Sequence, residues 1–328
     1  MTERRKALFA IIVTVLFWGF SFISIKISVA VLPPMSLGAV RFFLAILVLF
    51  FIKSRSVPKE RLELRDLPYL VGAGLVGVTA YFFFENNGVS LVTASEASII
   101  IAAIPVITMA AERIIAEVSY RRYRARFGEA ASEDRRNSPN RRISKRRWAG
   151  AVLSVVGVWL VAGATVAMSG SGLGYVYMFG AALSWVGYCF LTRPLFISRS
   201  RIFIVFWQSV FGFLGFLPFA ALELPRWGRL DTTVILHVVY LGVFCSALGY
   251  WMYARAMDTL GVGVSTVFVN LIPVVTVTAG FFFLGDRLSP VQWVGTAAVL
   301  VGVYAATLEG SWGSGKRSHH SKEKAIPT

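Results

Sequence analysis

Charge is scarce in this sequence. Only 15% of its 328 residues are Asp, Glu, Lys or Arg, while 56% are hydrophobic. A soluble domain has a smaller apolar share and far more charge. Histidine is scarcer still: His237, His319 and His320 are the three in the chain. None sits in a polar cluster or at metal-ligand spacing, so the His, Asp or Ser cluster usual in a membrane enzyme acting on lipid is missing. There is no Walker A loop and no dinucleotide-binding glycine fingerprint. Nothing therefore cradles a nucleotide phosphate, which argues against direct ATP-driven pumping and against a bound cofactor. The two cysteines, Cys189 and Cys245, lie inside apolar runs. A thiol there behaves as a small buried hydrophobe and says nothing about redox compartment.

What the chain has in quantity is long apolar runs. At about 20 residues per crossing there is room for about ten spans plus loops. They read as 7–29, 35–52, 67–86, 94–117, 148–168, 175–192, 202–221, 233–254, 262–288 and 291–308. The fourth and ninth carry central prolines, Pro105 and Pro273. In water such a proline breaks a helix, whereas in a membrane bundle neighbouring helices satisfy the freed backbone groups. The first run follows Arg4, Arg5 and Lys6 as a signal peptide would. It is too long for a signal h-region, and Lys26 interrupts its end, so it reads as a span.

The charge that exists is one-sided, at +16 net. In a soluble protein that would point to nucleic acid, but its placement points elsewhere. With the N-terminus inside, the inner segments hold nearly all the Lys and Arg, and the outer loops hold only Arg226, Arg229 and Arg287. This asymmetry is the positive-inside rule, and it predicts cytoplasmic termini and no nucleic-acid partner.

The chain also repeats itself. Trp18 is matched by Trp185, and eight residues on Lys26 is matched by Arg193. Pro105 matches Pro273. Trp148 and Gly150 followed by Gly157 match Trp293 and Gly295 followed by Gly302 at identical spacing. Five spans per unit is an odd number, so the second unit enters the membrane upside down. Inverted repeats of this kind are a transporter architecture, with the substrate site near the midplane between the halves.

These landmarks resemble the drug/metabolite transporter superfamily, in its ten-helix EamA-type branch. The resemblance rests on Trp18, Lys26, Pro34 and Arg41-Phe42 in the first unit. In the second it rests on Leu183-Ser184-Trp185, Asn270-Leu271-Ile272-Pro273 and Leu284-Gly285-Asp286. Asp286 stands where the family usually has a glutamate, and the loop between spans four and five is longer than its counterpart. The fold expected is all-α and integral to the membrane, with ten helices as two inverted five-helix repeats. The first repeat covers 1–168, the second 169–310, and 311–328 is a disordered cytoplasmic tail. The function the resemblance implies is a multi-pass inner-membrane carrier exporting a small organic metabolite by alternating access. A lipid or lipid-linked substrate flippase is the alternative within that fold. An integral-membrane enzyme or a sensor reading out through the basic loop stands further off.

Candidate substrate-binding residues are polar or aromatic groups within spans. Lys26, Arg41, Glu85 and Glu96 are ionisable groups in outer parts of their helices; each is a functional candidate by default, or else half of a structural ion pair or a snorkelling end. Gln208 and Asn270 are uncharged polar groups that bond either a ligand or another helix. Trp18, Trp185, Tyr81, Tyr188 and Tyr250 place aromatic surface at similar points of both units. Ser98 and Thr266 match across the repeat. Pro105 and Pro273 are candidate hinges. The stretch from Arg121 to Arg147 holds eleven Lys or Arg. It reads as a solvated cytoplasmic loop, or as one in contact with anionic lipid of the inner leaflet. The glycine faces of spans five and ten suit either internal packing or a homodimer, so monomer and homodimer both stay open.

Overall fold

An apolar chain in lipid must satisfy its backbone groups within each segment, which leaves the helix as the element available here. The computed structural model describes residues 2–92, 97, 100–127, 145–163, 171–279 and 289–307, and among these there is no strand. In chain order the helices are α1 (Glu3–Val29), α2 (Pro34–Ser56), α3 (Leu64–Leu91), α4 (Ile104–Phe127) and α5 (Lys145–Gly163). They continue with α6 (Gly172–Thr192), α7 (Arg201–Glu223), α8 (Thr232–Leu260), α9 in two pieces (Val262–Val269 and Ile272–Ala279) and α10 (Pro290–Thr307). Among the described residues, α1, α2, α3, α6, α7 and α8 are each long and apolar enough to cross a membrane alone. Their outer faces carry exposed apolar side chains such as Phe9, Ile12, Phe50 and Leu236, as lipid-facing surfaces do.

Local chemistry sets the helix ends. Thr2, Ser171, Ser200 and Asp231 each accept the backbone N–H three residues on, at 3.4, 3.1, 3.3 and 2.8 Å. These are N-caps that satisfy one of the orphan donors of the first turn. α8 stops at Gly261, whose φ of +86° is open to glycine at no steric cost. α4 runs on to Phe127 and α5 begins at Lys145, so both enter the stretch expected to be loop. Arg, Lys, Ala and Glu are good helix formers, and the helix does not end where the apolar run does. The rest of that basic stretch, the Leu284-Gly285-Asp286 phrase and the C-terminal tail lie outside the described residues.

Two features repeat between the halves. α3 and α8 each contain a π-helical turn, at Leu75–Ala80 and Leu241–Gly249. Sequence also predicts a continuous helix through each central proline, and here the structure differs. The backbone turns at Ala102–Ala103 and Asn270–Leu271, and Pro105 and Pro273 each stand second in the helical piece that follows. Ala103 and Leu271 donate to the carbonyls of Ile100 and Phe268, both at 3.0 Å. A proline tolerates the first helical turn because its missing N–H would be unsatisfied there anyway. The break therefore sits just before the proline rather than at it.

The packing obeys the same two-fold relation. α1 packs on α8 as α6 packs on α3, α1 meets α9 as α6 meets α4, and α2 meets α8 as α7 meets α3. The pairs α2·α7, α4·α9 and α5·α10 map onto themselves. In α5·α10 the glycines face each other: a Cβ on Gly150 would lie 2.6 Å from the Gly302 carbonyl, and one on Gly295 2.8 Å from that of Gly157. Those glycine faces are thus consumed inside the chain. The α2·α7 pair is held at both ends by reciprocal carboxylates. Glu223 accepts from the Ser36 backbone N–H at 2.7 Å and from its hydroxyl at 2.9 Å. Glu60 accepts from the Ser200 N–H at 2.9 Å and also from the Ser200 hydroxyl. Each carboxylate sits at a helix N-terminus, where the helix dipole favours negative charge.

Candidate functional site

The repeated breaks and π turns converge. Between the halves lies a cavity with about 450 Å³ of empty space, mouth included. Ile101 and Ile104 flank the break before α4, and Val269 and Ile272 flank the break within α9; all four line the cavity. Trp18 and Ser21 come from α1, Arg41 from α2, Tyr81 and Glu85 from α3, Trp185 from α6 and Tyr250 from α8. Tyr81 and Tyr250 are the first residues after the two π turns. A π turn frees a carbonyl and redirects the residues after it, and such bulges are frequent at functional sites. The cavity side chains use those carbonyls: Tyr250 Oη donates to Gly77 O at 3.1 Å, and Trp18 Nε1 to Cys245 O at 3.1 Å.

Trp18 and Trp185 meet edge to face, with ring centroids 5.2 Å apart and planes at 88°. Tyr250 lies 5.9 Å from Trp18 and 5.6 Å from Trp185, and Tyr81 lies 5.1 Å from Trp185. Below this layer, toward the face where Arg255 meets Glu3 beside the N-terminus, the bundle is filled. Tyr188 and Tyr253 are fully buried, at 5.2 and 5.1 Å from Trp185, and Trp185 Nε1 donates to Tyr253 Oη at 3.3 Å. The cavity thus lies toward the opposite face and is shut from the side of the N-terminus. Its polar groups are few. Tyr81 Oη donates to Glu85 Oε1 at 2.7 Å, and Arg41 Nε donates to Ser246 Oγ at 2.9 Å. Apolar walls with a few placed polar groups are the usual make-up of a small-molecule site.

The structure brings Trp18, Tyr81, Glu85, Trp185 and Tyr250 together, and sets the other sequence candidates elsewhere. Tyr188 is one layer beneath. Gln208 is buried and donates to Thr192 Oγ1 at 2.9 Å, tying α7 to α6. Thr266 turns back onto its own helix, to Val262 O and Gly263 O at 3.1 and 3.2 Å. Asn270, also buried, donates to Ser154 Oγ at 2.8 Å, tying α9 to α5 at the break. Lys26 is exposed near the end of α1. Ser98 and Glu96 lie outside the described residues. Sequence reasoning gave no site role to Phe22, Phe82, Ile101, Ile104, Val269 or Ile272. The repeat register carried a signal for part of this set: Ile101 and Ile104 stand to Val269 and Ile272 as Pro105 stands to Pro273.

The sequence profile of the EamA-like transporter family matches residues 5–123 and 172–308. The chain belongs to that family. Among proteins similar to this EamA-like chain, a "probable terminal-alkyne amino-acid exporter" of Streptantibioticus cattleyicolor is 26% identical, covering 91% of this chain and 92% of its own length. A "probable amino-acid metabolite efflux pump" of Salmonella typhimurium is 25% identical, covering 92% and 94%. An "uncharacterized transporter" of Archaeoglobus fulgidus is 25% identical, covering 89% and 95%. A solved crystal structure matches with a TM-score of 0.70 at 19% identity, covering 93% of this chain and 98% of that one. That last likeness speaks for the fold alone. The protein is a multi-pass membrane transporter of the drug/metabolite type, built of ten helices in two inverted repeats.

Proposed function

We propose that this chain is a secondary carrier that exports a small organic metabolite, of the amino-acid metabolite kind, across the inner membrane by alternating access. The observation that carries the reading is the cavity at the two matched helix breaks, shut on the side of the N-terminus. A site between inverted repeats, lined by discontinuous helices, is the arrangement in which rocking of one unit against the other exposes the site to alternate faces. The names of the Streptantibioticus and Salmonella relatives support the substrate class and the outward direction. In this reading the units are 1–168 and 169–310, with 311–328 as a cytoplasmic tail and both termini in the cytoplasm. Substrate meets Trp18, Tyr81, Glu85, Trp185 and Tyr250, while Gln208 and Asn270 clamp helices, and the breaks before Pro105 and Pro273 serve as hinges. The glycine faces used up inside α5·α10 support a monomer as the transporting unit. The basic stretch after α4 meets anionic lipid of the inner leaflet.

Counterflow in proteoliposomes tests it, using radiolabelled amino acids, nucleosides and sugars. The expected result is exchange of at least one amino acid, abolished by Trp185→Ala in protein that remains monodisperse. Exchange of nucleosides or sugars alone would overturn the substrate class, and no exchange of any class by folded protein would overturn the carrier reading.

A further inference from the structure

We infer that Arg41 reads an anionic group on the substrate, so that the cavity takes a carboxylate or similar planar oxyanion in one orientation. This rests on the carrier reading above and adds a specificity-determining residue to it.

Arg41 is 2% exposed and lines the cavity. Its guanidinium is held from two directions. Nε donates to Ser246 Oγ at 2.9 Å, and the central carbon lies 4.1 Å above the Phe82 ring centroid. That stacking fixes the plane, and the hydrogen bond fixes the rotation within it. Nη1 is buried and has no hydrogen-bond partner among the described residues. Arginine does not shed its proton in proteins, so this edge presents a permanent, pinned donor. Such an edge suits a planar oxyanion, to which arginine bonds through parallel N–H groups.

The two-fold relation sharpens the point. Arg41 and Gln208 are separated by the same number of residues as Trp18 and Trp185. Glu85 and Ala254 are separated as Tyr81 and Tyr250 are. Trp18 with Trp185, Tyr81 with Tyr250 and the four aliphatic residues at the breaks come in matched pairs, but the charges do not. Gln208 spends its amide on Thr192, and Ala254 has nothing to offer. A cavity symmetric in every wall residue would bind a ligand equally well either way round. Arg41 on α2 and Glu85 on α3 break that symmetry within one unit. Glu85 accepts from Tyr81 and shares the cavity lining with Arg41, so Nη1 is the donor left for a ligand. An anion therefore docks at Arg41, with the apolar body against Trp18, Trp185 and Tyr250.

Purified full-length protein and three probes that share one aromatic body form the test: L-phenylalanine, phenethylamine without the carboxylate, and 3-phenylpropionate without the amine. Binding is read by thermal shift and by quenching of tryptophan fluorescence. Wild type is expected to prefer both carboxylates over phenethylamine by at least tenfold. Arg41→Gln, which copies the residue of the second unit, is expected to lose that preference while keeping its affinity for phenethylamine. Arg41→Lys keeps the charge without the fork and is expected to lose at least threefold; it decides the matter if Arg41→Gln does not fold. An unchanged order in the variants, or no carboxylate preference in wild type, overturns the inference. If the carboxylates bind through Arg41 and none is transported, the carrier reading falls and the anion subsite stands.

Discussion

At Asn270, one side chain reads differently in one dimension and in three. In the sequence it is an amide in an apolar helix, one turn from a proline, and suits a ligand contact. In the structure its Nδ2 is committed to Ser154 across the α9·α5 contact, while its neighbours Val269 and Ile272 reach the cavity. Asn270→Ala should therefore lower the thermal midpoint by the equivalent of about 0.5–1.5 kcal/mol, the net worth of one lost hydrogen bond, since the Ser154 hydroxyl keeps its own donation to Ala151 O at 2.8 Å. Affinity for any transported probe should stay within twofold. Adding Ser154→Ala should cost less than the sum of the single changes, because the pair acts together. A tenfold loss of affinity at unchanged stability would return Asn270 to the cavity. Arg41 is the reverse case. From sequence it was as good an ion-pair member as a cavity group, because nothing local tells where its edge points. Only the Ser246 bond and the Phe82 stack, on helices far apart in sequence, decide that.

Elements were more legible than side chains, for a physical reason. Span positions follow from apolar length and from where Lys and Arg stop, both local properties, so the α1, α2, α6 and α7 expectations fall within a few residues of the observed helices. The π turns leave no comparable mark, since they depend on what packs against them, and the exact place of a helix break depends on which carbonyls find partners. The spacing of Gly150, Gly157, Gly295 and Gly302 could be read, but not what they faced. They face one another, at backbone contact. Gly157→Ala would set a Cβ 2.6 Å from Val299 N, so the helices must separate. We expect a loss of about 1–3 kcal/mol, the usual cost of overpacking. Gly172→Ala, with nothing within 4 Å, should leave the melting curve in detergent unmoved. The helix breaks make a kinetic prediction instead. Pro105→Ala with Pro273→Ala restores two N–H donors and allows the pieces of α4 and α9 to join. The double variant should insert normally and exchange at least fivefold more slowly in counterflow, while equal rates would reduce both prolines to packing residues.

For the whole molecule the remaining question is which way up it sits, and the charge distribution makes a prediction. The distribution of Lys and Arg predicts cytoplasmic termini. In the folded chain the ends of the helices then sort into two faces. Ser90 and Ser171 are both exposed and lie together, with the Ser171 N–H directed at Leu91 O at 3.4 Å. Ser56 and Ser198 are exposed on the other face. There Arg199 bridges Glu63 and Asp66 at 2.6 Å each, and Arg255 meets Glu3, beside the N-terminus, at 3.0 Å. Both native cysteines are buried and free, so an impermeant thiol reagent should find almost no background target. Cysteines introduced singly at Ser90 and Ser171 should label in intact cells. Those at Ser56 and Ser198 should label only after the membrane is opened, because the basic face stays with the anionic inner leaflet. The mouth of the cavity would then open to the outside, and a cysteine at Ser21, in the cavity wall, should label more slowly when a transported probe is present. Labelling of Ser56 or Ser198 from outside in sealed cells would invert the assignment and turn the conformation seen here into one open to the cytoplasm.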